Sequence, residues 1–283
     1  MKNRIGFMQG RLCDCVDGKI QAFPWRDWEN EFPASAAIDL HIMEWTLDQG
    51  RLYENPLMHE KGRERIRFLS REHKVSILSL TGDCFMQAPF WKQSGAEKKS
   101  LQEDFLAIVA ASGDLGIKLV VVPLVDNGRI ENSHQEDNFV DFLLVNQGVF
   151  LQNNIQVIFE SDYAPDKLAR FIARLPARHF GINYDIGNSA ALGFDPMDEF
   201  QAYGNRILNV HVKDRVLGGT TVPLAKGSAN FEVVFSELAK LNYRGNFILQ
   251  TARAVSGKHS EVLSNYYDMT SQWLKRYGLA GVV

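Results

Sequence analysis

Short apolar runs and longer amphipathic segments alternate along the whole chain. Eight runs are rich in β-branched and aromatic residues, at 5–8, 42–45, 75–80, 118–123, 155–159, 180–184, 207–211 and 246–249. Segments with apolar residues near helical spacing follow them, at 25–39, 59–73, 97–115, 134–154, 165–175, 195–203, 230–240 and 261–277. Continuous apolar runs are typical of parallel strands buried on both faces, and the intervening segments are long enough for helical crossovers. The alternation predicts an α/β fold, a single (β/α)8 TIM barrel.

The length and composition of the chain agree with one domain. Its 283 residues match the roughly 250 residues that such a barrel needs. No linker rich in proline or glycine divides it, so we predict one barrel domain over residues 1–283. The net charge of −3 and the pI of about 6.2 argue against a nucleic-acid partner, because phosphate binding relies on a basic surface.

The cysteines and the amino terminus indicate an intracellular protein. Three cysteines are too few for a disulfide scaffold, so we expect reduced thiols. The first apolar run, at 5–8, is too short for a signal peptide, and no run reaches the roughly 18 apolar residues of a membrane helix. We therefore expect a cytoplasmic protein without a membrane segment.

Four of the later runs end in side chains that suit a metal site. Glu160 directly follows the fifth run, Asp185 directly follows the sixth, His211 is the last residue of the seventh, and Gln250 directly follows the eighth. The carboxyl ends of barrel strands meet at one mouth, where enzymes of this architecture carry their chemistry, so we expect these side chains to converge there. Two carboxylates and an imidazole favour manganese, zinc, cobalt or iron over calcium, which prefers oxygen ligands.

The whole chain resembles the xylose-isomerase-like TIM barrels, a superfamily of sugar and sugar-phosphate isomerases and epimerases that also includes endonuclease IV and inosose dehydratases. The resemblance rests on Glu160, Asp185, Asn188, His211 and Asp214, supported by the segment 8–11, Glu44 and the segment 222–227. It implies a divalent metal ion bound by Glu160, Asp185, His211 and Gln250, most often manganese, with zinc, cobalt, magnesium or iron as alternatives. Where this sequence has Gln250, the family pattern has glutamate.

The chemistry that the resemblance implies is proton transfer beside a carbonyl group. A bound metal acts as a Lewis acid and stabilises the enediolate that forms when a proton leaves the adjacent carbon. The resemblance makes Glu160 the candidate base, and Lys213 and Glu44 are further catalytic candidates. Gln250 cannot accept or return a proton. Either one base suffices, as in aldose–ketose isomerisation or elimination of water, or Glu44 or another acid supplies the second.

Basic residues after the last two strands favour an anionic substrate. Loops at these positions often hold phosphate in barrels, and arginine binds phosphate or carboxylate with two parallel hydrogen bonds. The substrate-binding candidates are Asn188, Asp214, Arg215, Arg253 and Trp45. Trp45 and Phe85 either form an apolar wall against a sugar ring or pack in the core. The aromatic segment 84–95 either covers a ligand or packs against a neighbouring subunit.

Several functions agree with these features. The leading one is a metal-dependent sugar or sugar-phosphate isomerase or epimerase acting on a small molecule. Alternatives are a dehydratase of a polyol or keto sugar and a non-catalytic sugar-binding barrel. An endonuclease IV-like phosphodiesterase is disfavoured, because its three-zinc site needs many histidines and this chain has seven. Self-association is common in the family, so we expect a homo-oligomer.

Overall fold

The computed structural model describes residues 4–280, and within them eight parallel strands close into a barrel. The barrel strands are β1 Ile5–Met8, β2 Ile42–Thr46, β3 Ser76–Thr81, β4 Leu119–Leu124, β5 Gln156–Ser161, β6 Phe180–Asp185, β7 Ile207–Val212 and β10 Asn246–Leu249, with a hairpin of β8 Asp214–Arg215 and β9 Thr221–Val222 before the last. Barrel strands adjacent in sequence are paired, and β10 closes onto β1. The predicted TIM barrel is therefore confirmed. Residues 1–3 and 281–283, parts of the predicted domain, lie outside the described residues.

The strand register brings the predicted ligands together. Pairing between β6 and β7 sets Asp185 directly beside His211. Pairing between β4 and β5 sets Pro123 beside Glu160, one strand further round the barrel. Because all these strands run in the same direction, their carboxyl ends form one mouth.

Eleven α-helices lie within residues 4–280. They are α1 Glu31–Ala36, α2 Glu60–His73, α3 Asp83–Gln87, α4 Gly95–Leu115, α5 Ser133–Val145, α6 Gln147–Gln152, α7 Pro165–Ala173, α8 Ile186–Leu192, α9 Pro196–Tyr203, α10 Phe231–Lys240 and α11 His259–Arg276. The first predicted helix, at 25–39, is much shorter than expected. The helix predicted at 134–154 is divided at Asn146, whose side chain donates to the Phe142 carbonyl of the preceding turn. No helix in the described part is long and apolar enough to cross a bilayer.

Large aromatic side chains fill the layer between the barrel and its helices. Phe85, Phe90 and Trp91 are at most 5% exposed and pack against one another or against rings of α4 and α5. The expectation that the segment 84–95 covers a ligand or meets another subunit is thus wrong for these three side chains, because the chain's own core encloses them. Trp45 is also fully buried, beside Phe23, and its indole donates to Asn55.

Three small elements at the barrel mouth were not predicted. Helix α3 follows β3 with only Gly82 between them, and α8 begins at the residue after β6. The β8–β9 hairpin is antiparallel and pairs Asp214 with Val222. These elements set the geometry of the site described next.

Candidate active site

A cleft of about 720 Å³ opens at the carboxyl ends of the strands. Its walls come from loops and short helices after most of the barrel strands. The charged residues that line it are Arg11, Lys19, Asp83, Asp126, Arg129, Glu160, Asp162, Lys213 and Arg215. This is the end of a TIM barrel at which substrates bind.

Three of the predicted metal ligands meet at the floor of this cleft, where Glu160 lines the cleft itself and Asp185 and His211 are buried and not among its lining residues. Glu160, Asp185 and His211 are buried, and each offers a ligand atom that lies within 4.8 Å of the others. The structure therefore brings together two carboxylates and an imidazole that are widely separated in sequence. Binding of a metal at this cluster stays a prediction.

His211 lies between carboxylates inside the barrel. Its Nε2 is 2.7 Å from Oε1 of Glu44, and its Nδ1 is 3.1 Å from Oε2 of Glu160 and 3.9 Å from Oδ2 of Asp185. Burial alone would lower the pKa of His211, but the charges of Glu44 and Glu160 raise it to about 10. In the metal-free protein the imidazole is therefore a cation that links these carboxylates.

Glu44 is fixed beneath His211 and does not reach the cleft. Its side chain is fully buried and accepts hydrogen bonds from Ser79 and Thr81 at 2.5 Å each, and from Asn209 at 3.0 Å. Burial would raise the pKa of Glu44, but the charge of His211 lowers it, so the group is a carboxylate. With both oxygens engaged, Glu44 cannot exchange a proton with a substrate, contrary to the expectation that it supplies a second base. It positions the His211 ring instead.

The Glu160 carboxylate is held by two asparagines. Asn183 donates to Oε2 at 3.0 Å, and Asn188 donates to Oε1 at 2.6 Å. Burial alone would raise the pKa of Glu160, but its hydrogen bond to His211 and the charges of His211 and Lys213 lower it. Glu160 is therefore ionised, and it lines the cleft although only 7% of its surface is exposed.

Lys213 and Gln250 lie beside the carboxylate of Asp185. The Lys213 ammonium donates to Oδ2 of Asp185 and to Oδ1 of Asn188, each at 3.1 Å, and to Oε1 of Gln250 at 3.3 Å. The same oxygen of Asn188 accepts from Arg215 at 2.8 Å. Asn188 thus links Glu160 to two cations, and the amide oxygen of Gln250 accepts from the same ammonium that donates to Asp185.

The other predicted substrate-binding residues have structural contacts. Asp214 is fully buried and accepts hydrogen bonds from the backbone N–H groups of Lys226, Gly227 and Ala229, which fixes the loop after the hairpin. A Cβ atom at Gly227 would lie 2.2 Å from Oδ1 of Asp214, so only glycine allows this approach. Because both carboxylate oxygens of Asp214 accept these hydrogen bonds, Asp214 holds the loop and does not bind a ligand in the cleft.

Arg253 and Trp45 also lie away from the cleft. The guanidinium of Arg253 donates to the carbonyl oxygens of Gly10 and Cys13 and so ties the loop after β1 to the loop after β10. Trp45 is a core residue, because it points outward from β2 into the helical layer. Neither residue lines the cleft in the part of the chain that the structure describes.

Two buried charged residues of the cleft, Arg11 and Asp83, were not predicted as site residues. Both are largely buried, with exposed fractions of 5% and 7%. Both follow an apolar strand within a few residues, which is the same signal that identified Glu160 and Asp185. The signal was present, but the resemblance gave these positions no function.

The residues at the floor of the cleft fit a divalent metal ion. Glu44 accepts from Nε2 of His211, which leaves Nδ1 on the side of Glu160 and Asp185. A carboxylate that orients the second nitrogen of a histidine ligand is a recurrent feature of metal sites. Glu160, Asp185 and His211 would hold such an ion, and the Gln250 oxygen is the neighbouring neutral donor.

Comparisons with known proteins agree with this architecture. A family model described as "Xylose isomerase-like TIM barrel" matches residues 32–276. The Escherichia coli (strain K12) protein named "Putative L-ribulose-5-phosphate 3-epimerase SgbU" is 27% identical over 194 residues, which are 63% of this chain and 67% of that protein.

Two solved structures share the fold at low sequence identity. A D-psicose 3-epimerase crystallised in the presence of D-fructose has a TM-score of 0.76 at 11% identity, covering 96% of this chain and 99% of the other. The IOLI protein with a bound zinc atom has a TM-score of 0.73 at 14% identity, covering 97% and 99%. Since the family model spans most of the sequence, the chain belongs to the xylose isomerase-like TIM barrel family.

Proposed function

We propose that the chain is a metal-dependent isomerase or epimerase of a sugar or a sugar derivative. The observation that carries the proposal is the convergence of Glu160, Asp185 and His211 within 4.8 Å at the floor of the cleft. The relative named as an L-ribulose-5-phosphate 3-epimerase and the fold shared with a D-psicose 3-epimerase support this class of reaction.

The residues of the site have different roles in the proposed reaction. A divalent ion at this position supplies Lewis-acid stabilisation of negative charge on the substrate oxygens. Glu160 removes the proton from the carbon beside the carbonyl, because it is ionised and its carboxylate borders the cleft. Asn183 and Asn188 hold that carboxylate in position, and Glu44 fixes the orientation of His211.

The charge of the cleft favours an anionic sugar derivative, such as a phosphate. Lys213 and Arg215 line the wall after β7, as the sequence suggested, whereas Arg253 is engaged elsewhere. Arg11 adds a third cation. Its Nε and Nη1 donate to Thr251, Ile20 and Gln21, which leaves Nη2 without an acceptor among residues 4–280. A buried guanidinium with a free donor at a cleft is a suitable anchor for phosphate or carboxylate.

Solvent-deuterium exchange tests the proposal. The protein is loaded with Mn²⁺ and incubated in deuterated water with L-ribulose 5-phosphate or D-psicose, and deuterium at the carbon beside the carbonyl is followed by NMR. We expect exchange and product formation, with the phosphate preferred over the neutral sugar. Glu160→Gln is expected to reduce exchange by about 10²- to 10⁴-fold.

The matched control is Asp198→Asn, which alters an exposed carboxylate of α9 that does not line the cleft and is expected to leave exchange unchanged. Exchange that persists in Glu160→Gln would remove Glu160 as the base. Binding of these sugars without any exchange in the unmodified protein would identify a non-catalytic sugar-binding barrel instead. Preference for the neutral sugar would contradict only the prediction that the substrate is anionic, and it would leave the proposed class of reaction standing.

A further inference from the structure

The loop after β1 lies across the cleft from Glu160. In the closed order of the barrel, β1 is four strands from β5 in either direction, so these two strands stand on opposite sides of the mouth. Arg11 belongs to the loop after β1, and both Arg11 and Glu160 line the cleft of about 720 Å³. This volume is within the range of pockets that enclose small-molecule ligands. A ligand that fills the cleft from Glu160 to the opposite wall therefore reaches Arg11.

The guanidinium of Arg11 is buried but only partly hydrogen-bonded. Its Nε donates to the Thr251 carbonyl at 2.9 Å, and its Nη1 donates to the Ile20 carbonyl at 3.2 Å and to Oε1 of Gln21 at 2.9 Å. Nη2 has no acceptor within residues 4–280, and it is not enclosed by the protein, so its N–H groups are accessible from the cleft. A buried charge with unused donors costs free energy, and an anionic ligand would offset that cost.

The backbone around Arg11 is fixed from two directions. Both carboxylate oxygens of Glu31 accept from the N–H group of Gly10 at 2.8 Å, and Oε1 also accepts from that of Leu12 at 3.0 Å. Arg253 donates to the carbonyl oxygen of Gly10 from the loop after β10. The loop therefore holds Arg11 in place before any ligand arrives, which lowers the entropic cost of binding.

The charges around Arg11 leave room for an anion. Burial and the neighbouring Arg253 lower the pKa of Arg11 to about 9, so the guanidinium is a cation at neutral pH. Two buried acids, Glu31 and Asp83, act in the opposite direction. Burial raises the pKa of Glu31 to about 7 and that of Asp83 to about 8, so neither carries a full negative charge near pH 7.

The other cations that line the cleft differ in how far they are engaged. The Lys213 ammonium has three acceptors, and Arg215 donates from all three of its nitrogens. Arg129 is paired with Asp162. Lys19 is exposed, and its ammonium has no hydrogen bond or ion pair in the described part of the chain. The free donors of the cleft are therefore concentrated in the segment after β1 rather than after β7.

We propose that Arg11 and Lys19 form a phosphate subsite on the wall of the cleft opposite Glu160. The inference rests on the proposed function and names its substrate class: a sugar that carries a phosphate monoester at the end remote from the reacting carbon. Lys19 precedes Ile20, whose carbonyl accepts from Arg11, so the two cations share one corner of the cleft. The phosphate oxygens accept from Nη2 of Arg11 and from the Lys19 ammonium. This placement also keeps the phosphate away from the Glu160 carboxylate, which would repel it.

Titration calorimetry with inorganic phosphate tests the subsite. The full chain is used with EDTA at physiological ionic strength, so that no metal ion binds the phosphate. Arg11→Met should weaken phosphate binding by about 10- to 100-fold, because a charge-assisted hydrogen bond is lost. Lys19→Met should weaken it by about 2- to 5-fold, since this ammonium is exposed. Arg215→Met, which removes a cation after β7, should change the affinity by no more than about 2-fold.

The exposed position of Lys19 keeps the proposal testable if Arg11→Met does not fold. In the exchange assay, both methionine variants should raise the KM for L-ribulose 5-phosphate and leave that for D-psicose unchanged. Phosphate affinity that is unchanged in Lys19→Met, or that falls as much in Arg215→Met as in Arg11→Met, would overturn the subsite. Absence of phosphate binding by the unmodified protein would also overturn it, but exchange with D-psicose would still support the proposed function. Absence of exchange with either sugar would overturn the proposed function, whatever the phosphate titration shows.

Discussion

Replacement of Asp83 by asparagine is expected to stabilise the protein, by an amount that grows as the pH rises. Burial and two neighbouring carboxylates raise the pKa of Asp83 from its ordinary value of 3.8 to about 8. The folded state therefore binds this proton more tightly than the unfolded state does. Between these two pKa values, each pH unit lowers the free energy of unfolding by about 1.4 kcal/mol. From pH 5 to pH 7 the loss amounts to about 2.5 kcal/mol, and Asp83→Asn removes it.

The assay is urea unfolding followed by tryptophan fluorescence at pH 5, 6 and 7. The difference in unfolding free energy between Asp83→Asn and the unmodified protein should increase by about 2.5 kcal/mol over this range. Asp126→Asn is the control, since its carboxylate is exposed and its positive φ of 48° is a conformation that asparagine adopts readily. A difference that stays constant with pH would refute the raised pKa of Asp83.

Three other variants test separate parts of the site. Glu44→Gln should weaken Mn²⁺ binding by about 10- to 100-fold in calorimetry, because the His211 ring loses its carboxylate partner; unchanged affinity would contradict that positioning role. Gln250→Glu should strengthen Mn²⁺ binding, because it adds a charged oxygen donor beside Asp185, and weaker binding would place residue 250 outside the site. Asp214→Asn should lower the free energy of unfolding by about 1–3 kcal/mol, because hydrogen bonds to the loop are lost, and it should leave Mn²⁺ affinity unchanged. A change in Mn²⁺ affinity without a change in stability would contradict this structural role and indicate that Asp214 takes part in binding.

The barrel strands and the ligand cluster were predictable because local sequence encodes them directly. A strand buried on both faces must be apolar along its length, so an acidic residue such as Glu160 or Asp185 at its end stands out. Because the strands are parallel, their carboxyl ends all lie at the same mouth of the barrel, so these residues are brought close together. The small elements at the mouth lack this signal, because α3 and α8 are short and their residues are fixed by contacts with neighbouring strands.

The errors at the site come from contacts between distant segments. Asp214 and Arg253 have the charge expected of substrate-binding residues, but their partners are backbone groups of loops that the sequence does not bring together. The position of Trp45, in contrast, could have been predicted from strand geometry. Side chains alternate across a strand, so Glu44 in the barrel interior places Trp45 on the outer face against the helices.

Asp83 was overlooked for a related reason. Its position after an apolar strand is evident in the sequence, but its burial in the wall of the cleft becomes visible only when the surrounding side chains are in place. The burial of a carboxyl group has no local sequence signature. The physical environment, rather than the residue type, distinguishes Asp83 from the structural carboxylate of Asp214.

The central claim is that Glu160, Asp185 and His211 hold one divalent ion at the floor of the cleft. Crystals soaked in Mn²⁺ and measured at the manganese absorption edge test it most directly. We expect one anomalous peak bonded to these three side chains, with the Lys213 ammonium displaced from Asp185. Crystals that show the cleft without such a peak, or with manganese bound only elsewhere, would contradict the claim.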